Sequence, residues 1–66
     1  MMRIRKHGQP DADSPAVDAF LSDLVEVYRR HGMSLAHEDG HGAFIVEPLS
    51  EANINWLNEA FDYTED

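Results

Sequence analysis

The chain has 66 residues and no cysteine, so it holds at most one small domain, with neither disulfides nor thiolate zinc sites to reinforce it. Its 42 % hydrophobic content is too high for a fully disordered chain, and no apolar run approaches the roughly 18 residues of a membrane span. The formal charge is -8, with Arg3, Arg5 and Lys6 placing +3 on residues 1–10 and 13 acids against Arg29 and Arg30 placing -11 on residues 11–66, so the body repels phosphate backbones and favours a basic partner surface.

Residues 1–13 read as an arm. Gly8, Pro10, Asp11 and Asp13 interrupt any periodicity, while the alternation Met2-Arg3-Ile4-Arg5 suits a short edge strand; a flexible terminus is the other reading. No apolar segment follows the basic start, which predicts a cytoplasmic protein without an export signal. A single α+β domain is expected over residues 14–62, with an acidic tail over 63–66.

Ser14-Pro15 predicts a helix start, with Ser14 capping free N–H groups and Pro15 at the first helical position. Val17, Phe20, Leu21, Leu24, Val27 and Tyr28 recur at three- and four-residue steps and predict one apolar stripe. Arg29 and Arg30 fall in the last turn, where the helix dipole favours cations, and Gly32 suits the position just beyond it. The helix is expected over 15–31.

Residues 33–47 predict a hairpin. Asp39-Gly40 is a two-residue turn signal, and centring the turn there pairs Leu35 with Phe44, Ser34 with Ile45 and Met33 with Val46; a four-residue loop from Glu38 to His41 gives the same register. Side chains alternate along a strand, so Met33, Leu35, Phe44 and Val46 share one face with His37 at its rim, and Ser34, Ala36, Ala43 and Ile45 share the other. Pro48 closes the strand and Ser50 caps a second helix expected over 51–62, with Ile54, Leu57 and Phe61 as its stripe and Trp56 and Ala60 beside it. The expected architecture is a two-layer α-β-β-α arrangement in which the inner hairpin face packs on both helix stripes. The open strand edges leave room for the arm or for a second copy.

His37-Glu38-Asp39-Gly40-His41 matches H-E-x-x-H, the pattern in which two histidines one helical turn apart hold zinc and the glutamate acts as base. That chemistry needs a helix, whereas an Asp-Gly turn between two strands sends the imidazoles to opposite sides. His37 then reads as a rim residue, and His41 and Glu38 as cross-strand neighbours. Two other readings give the segment a role: a turn whose Glu38, Asp39 and His41 contact a partner, or histidines that bridge two copies through a metal ion. Trp56 reads either as cover for the end of the core or as an interface anchor. No phosphate loop and no nucleophile–base set is recognisable. The expectation is a non-enzymatic protein without cofactor or catalytic residue, whose partner-binding residues are His37, Glu38, Asp39, His41, Ile45 and Trp56.

Residues 31–47, containing His31-Gly32, Ser34, His37-Glu38-Asp39 and His41-Gly42-Ala43-Phe44, with Asn53 and Trp56-Leu57 after them, resemble a group of small tailed-bacteriophage and prophage proteins with an H-G-x-S-x-x-H-E-D-x-H-G-A-F core and a W-L helix. The resemblance implies a phage origin and action in the host cytoplasm, and assigns no catalytic residue. The role expected of such a protein is to bind and modulate or inhibit a host protein, defence systems included, as a homodimer. A small-molecule or nucleotide sponge using the His37–His41 turn is the alternative.

Overall fold

A computed structural model describes residues 1–64; Glu65 and Asp66, the end of the expected acidic tail, lie outside the described residues. The element order is β1 (Met2–Arg3), β2 (Ala12–Asp13), α1 (Pro15–His31), β3 (Met33–His37), β4 (Phe44–Pro48) and α2 (Glu51–Asn58). The class is α+β, with two helices and two small antiparallel sheets. No described helix is long and apolar enough to cross a membrane.

The arm folds back on itself. Met2 pairs with Asp13 and Arg3 with Ala12, and the chain reverses through His7 and Gly8, both left-handed at φ 60° and 70°. The arm therefore supplies an edge strand to its own ladder and leaves the hairpin edge uncovered. Its anchor is Arg3, whose side chain is 2 % exposed. Nε and Nη2 donate to Asp18 Oδ1 at 2.9 and 2.6 Å, and Nη1 donates to the carbonyls of Asn58 and Ala60 at 2.7 and 2.9 Å. One guanidinium thus ties β1 to the start of α1 and the end of α2.

Helix α1 has the bounds its sequence predicts. Gly32 closes it at φ 68°, its N–H bonded to the Tyr28 carbonyl at 2.8 Å. The start needs a correction, because the Ser14 side chain caps no helical N–H. Its hydroxyl donates to Asp62 Oδ2 at 2.5 Å, a short charge-assisted bond that orients the side chain toward the chain after α2. Asp62 also accepts from the Thr64 amide and hydroxyl at 2.9 and 2.6 Å, and its own N–H donates to the Ile4 carbonyl. These bonds hold its carboxyl at about 2, against an ordinary value of 3.8, with the Ser14 bond as the main cause and the Thr64 bonds next.

Helix α2 starts as expected, with Ser50 Oγ accepting from the Asn53 N–H at 3.1 Å. It ends at Asn58, four residues before the expected 62. The cause is competition: Arg3 takes the Asn58 and Ala60 carbonyls, and Asp62 turns away to meet Ser14 and Ile4.

The hairpin forms, but in another register. Met33 pairs with Pro48, Leu35 with Val46, Ala36 with Ile45 and His37 with Phe44, a shift of two residues from the pairing of Leu35 with Phe44. An even shift keeps every side chain on its expected face. The connection is residues 38–43, and its left-handed residue is Gly42 at φ 71°; neither Asp39 nor Gly40 has the positive φ of a type I′ turn.

The helix layer meets the hairpin along β3. Ser34 is the most buried residue, donating to the Pro48 carbonyl and accepting from Asn53 Nδ2, both at 2.9 Å. The buried apolar residues are Leu21, Tyr28 and Ile54. Every residue of β4 is exposed, Phe44 at 70 % and Val46 at 65 %, and Met33 of β3 is exposed too, so of the face expected to close on both helices only Leu35 is half-buried.

Candidate functional site

The HEDGHG segment is a strand end followed by a loop braced by Glu38. Its Oε1 accepts from the Gly40 N–H at 2.7 Å, and its Oε2 accepts from the His41 N–H at 2.6 Å and lies 3.1 Å from His41 Nδ1. The two backbone N–H groups, that of His41 foremost, pull the Glu38 carboxyl below its ordinary value. A Cβ on Gly40 would lie 2.7 Å from Glu38 Oε1, so glycine leaves room for the carboxylate. Glu38 and His41 do touch, but within this loop and not as cross-strand partners. The glutamate that would be the base of a zinc hydrolase is spent on loop geometry.

His37 ends β3. Its ring stands edge-on to Phe44 at a centroid distance of 6.2 Å and lies 6.3 Å from the Trp56 ring. His37 Nδ1 is 3.6 Å from Asp39 Oδ1, while His41 holds to Glu38 on the loop. Among the described residues, no three His, Cys, Asp or Glu side chains converge as a metal site requires.

The predicted binding residues separate into two groups. His37, Asp39 and Trp56, with Ala36 and Asn53, line an open hollow of about 340 Å³. Trp56 is 44 % exposed and forms one wall. Ile45 pairs with Ala36 and so lies on the strand face that borders this hollow, 38 % exposed, next to the Ser34–Glu47 pair. Asn53 Nδ2 spans from Ser34 to Glu47 Oε1, at 2.9 Å to each. Glu38 and His41 form the loop rim beside it. This face combines two half-exposed apolar side chains with the carboxylates of Asp39 and Glu47, and no Lys or Arg is among the residues that line the hollow.

The opposite face was not singled out by the sequence reading. Leu24, Val27, Tyr28 and His31 of α1 and Met33, Leu35 and Val46 of the hairpin line an apolar recess of about 270 Å³. A second hollow, about 400 Å³, lies between Leu35 and Phe44 of the hairpin and Trp56, Leu57 and Phe61. Leu35 borders both, and the second hollow is also lined by Glu59 and by the Trp56 that walls the hollow beside His37. The signal was present in the stripe from Leu24 to Tyr28, but it reads equally as core. No protein-family model, curated protein or solved structure shows significant similarity to this chain.

Proposed function

We propose that this chain is a non-enzymatic phage accessory protein that binds a host protein through a basic surface and modulates or inhibits it. The observation that carries the reading is the face around Trp56: an aromatic wall and Ile45 bordered by the Asp39 and Glu47 carboxylates, on a body whose residues 11–66 carry -11. Aromatic side chains of this kind anchor protein interfaces, and surrounding carboxylates steer a cationic surface onto them. The motif that suggested catalysis supports the same reading, because its glutamate braces a loop and its histidines hold different neighbours. The phage origin rests on the HGxSxxHEDxHGAF string alone.

The test is capture from bacterial lysate on immobilised full-length chain, eluted with a salt gradient. One protein retained in near-stoichiometric amount, released steeply by salt and lost with Trp56→Ala, is the expected result. A second reading takes the 340 Å³ hollow beside Trp56 and His37 as a small-molecule site. Nucleotides or metal copurifying with the chain, with no protein retained, would replace the first reading by the second.

A further inference from the structure

We infer that a second copy of this chain covers the open hairpin face, the two copies meeting about a two-fold axis with Phe44 of each seated in the α1–hairpin recess of the other. This goes beyond the proposed partner surface and does not rest on it: the recess shares no lining residue with the hollow beside Trp56, although Phe44 itself stands against His37.

Four observations lead here. The first is deficit. Among the described residues only Leu21, Tyr28 and Ile54 are buried apolar residues, and a core this small is marginal on its own, so that disulfides, metal or association are the usual supplements. Cysteine is absent, and no metal cluster exists among the described residues. A two-stranded hairpin is itself marginal unless its apolar face is covered.

The second is area. Met33, Phe44, Val46 and Val27 are 52 %, 70 %, 65 % and 39 % exposed. Taking about 150–250 Å² as the full area of such a side chain, these fractions amount to roughly 350–550 Å² of surface per copy. A pair would bury about 700–1,100 Å², at the lower limit of about 1,000 Å² for a specific interface.

The third is shape. A two-fold contact must be self-complementary. Here the same face carries a projecting ring, Phe44, and a recess of about 270 Å³. An apolar cavity of about 150 Å³ already accepts benzene, so the recess has room for a phenyl ring.

The fourth is charge. Two chains of net charge -8 repel unless they meet where carboxylates are absent. The recess is such a place, since no Asp or Glu lines it. A basic foreign partner would gain little electrostatically from docking there, whereas a second copy meets no carboxylate there.

Sedimentation equilibrium on the full chain from about 1 to 200 µM brackets the affinity expected of an interface of this area. The expected result is a reversible monomer–dimer equilibrium. Phe44→Asp and Val46→Glu should each weaken it roughly tenfold or more, with unchanged far-UV circular dichroism, and Phe44→Leu should keep it. A mixed sample of isotope-labelled and unlabelled chain should give intermolecular contacts from Phe44 to Leu24 and Val27. If the charged variants unfold, the wild-type sedimentation and these contacts still decide. A wild-type chain that stays monomeric throughout overturns the inference, as does a dimer indifferent to both charged variants or one whose intermolecular contacts avoid Phe44.

Discussion

The two ends of this small domain invert the usual relation between polarity and burial. At one end Arg3, Ser14 and Asp62 are 4–5 % exposed and hold the arm, α1 and the chain after α2 together through hydrogen bonds. At the other end Phe44, Val46 and Met33 stand more than half exposed along the hairpin. The polar end gives a fixed geometry, because a planar guanidinium satisfied by one carboxylate and two carbonyls fits only one arrangement. The apolar end gives non-directional adhesion and waits for a surface. In this chain stability and association therefore reside in different residues, and substitutions should separate them.

The sharpest break is Arg3→Ala. It leaves two carbonyls without their donor and Asp18 with the terminal ammonium alone, and should cost about 2–3 kcal/mol in denaturant unfolding. Arg3→Lys should recover less than half of that, because one ammonium cannot reproduce the fork. Acid provides the next test. The Asp62 carboxyl sits at about 2 when folded and at its ordinary 3.8 when unfolded, so the unfolded chain takes up a proton first as pH falls. Its stabilisation is complete above about pH 4 and is lost as pH falls toward 2. Asp18, held down by the terminal ammonium and by Arg3, titrates in the same sense. Asp62→Asn should lower stability at neutral pH and flatten the thermal-midpoint profile between pH 4 and 2; a profile as steep as wild type would refute the assignment.

A smaller effect belongs to the hairpin connection. Gly42→Ala forces a side chain into φ 71° and should cost roughly 1 kcal/mol, measured by chemical denaturation. The smallest effect sharpens the contrast from the other side. Phe44→Asp should change the stability of the monomer by less than about 0.5 kcal/mol, measured at dilution, because the ring it removes touches little of its own chain. A large loss at dilution would place Phe44 in the core after all.

The local signals were legible and the distant ones were not. Ser14-Pro15 and Gly32 bound α1 because a proline start and a left-handed stop are chemistries of single residues. Ser50 announced α2 in the same way. The alternation of 33–37 and 44–48 gave the strands and their faces, and a shift of two residues left that pattern intact, so periodicity alone could not detect it. Asp39-Gly40 misplaced the turn because the propensity of two residues was outweighed by Glu38 bonding two N–H groups and by Gly42 taking the left-handed position. Of the candidate site, His37, Asp39 and Trp56 do share a hollow, since the strand end and the second turn of α2 meet there. Arg3 was legible only as one charge of the basic arm, because its partners lie 15, 55 and 57 residues away. One clue did exist: α2 has no basic residue in its last turn, so its terminal carbonyls had to find donors elsewhere.

The bond from the Asp62 amide to the Ile4 carbonyl, with the Arg5–Asp62 bridge beside it, brings residues 4–5 and 62 side by side. A short flexible linker could therefore close the backbone into a ring, and a new opening cut into the exposed loop of residues 38–43 would leave both layers intact. Such a rewired chain would keep the Arg3 fork while freeing β3 from β4 at the turn, a direct way to learn whether the hairpin must be continuous for the fold to form.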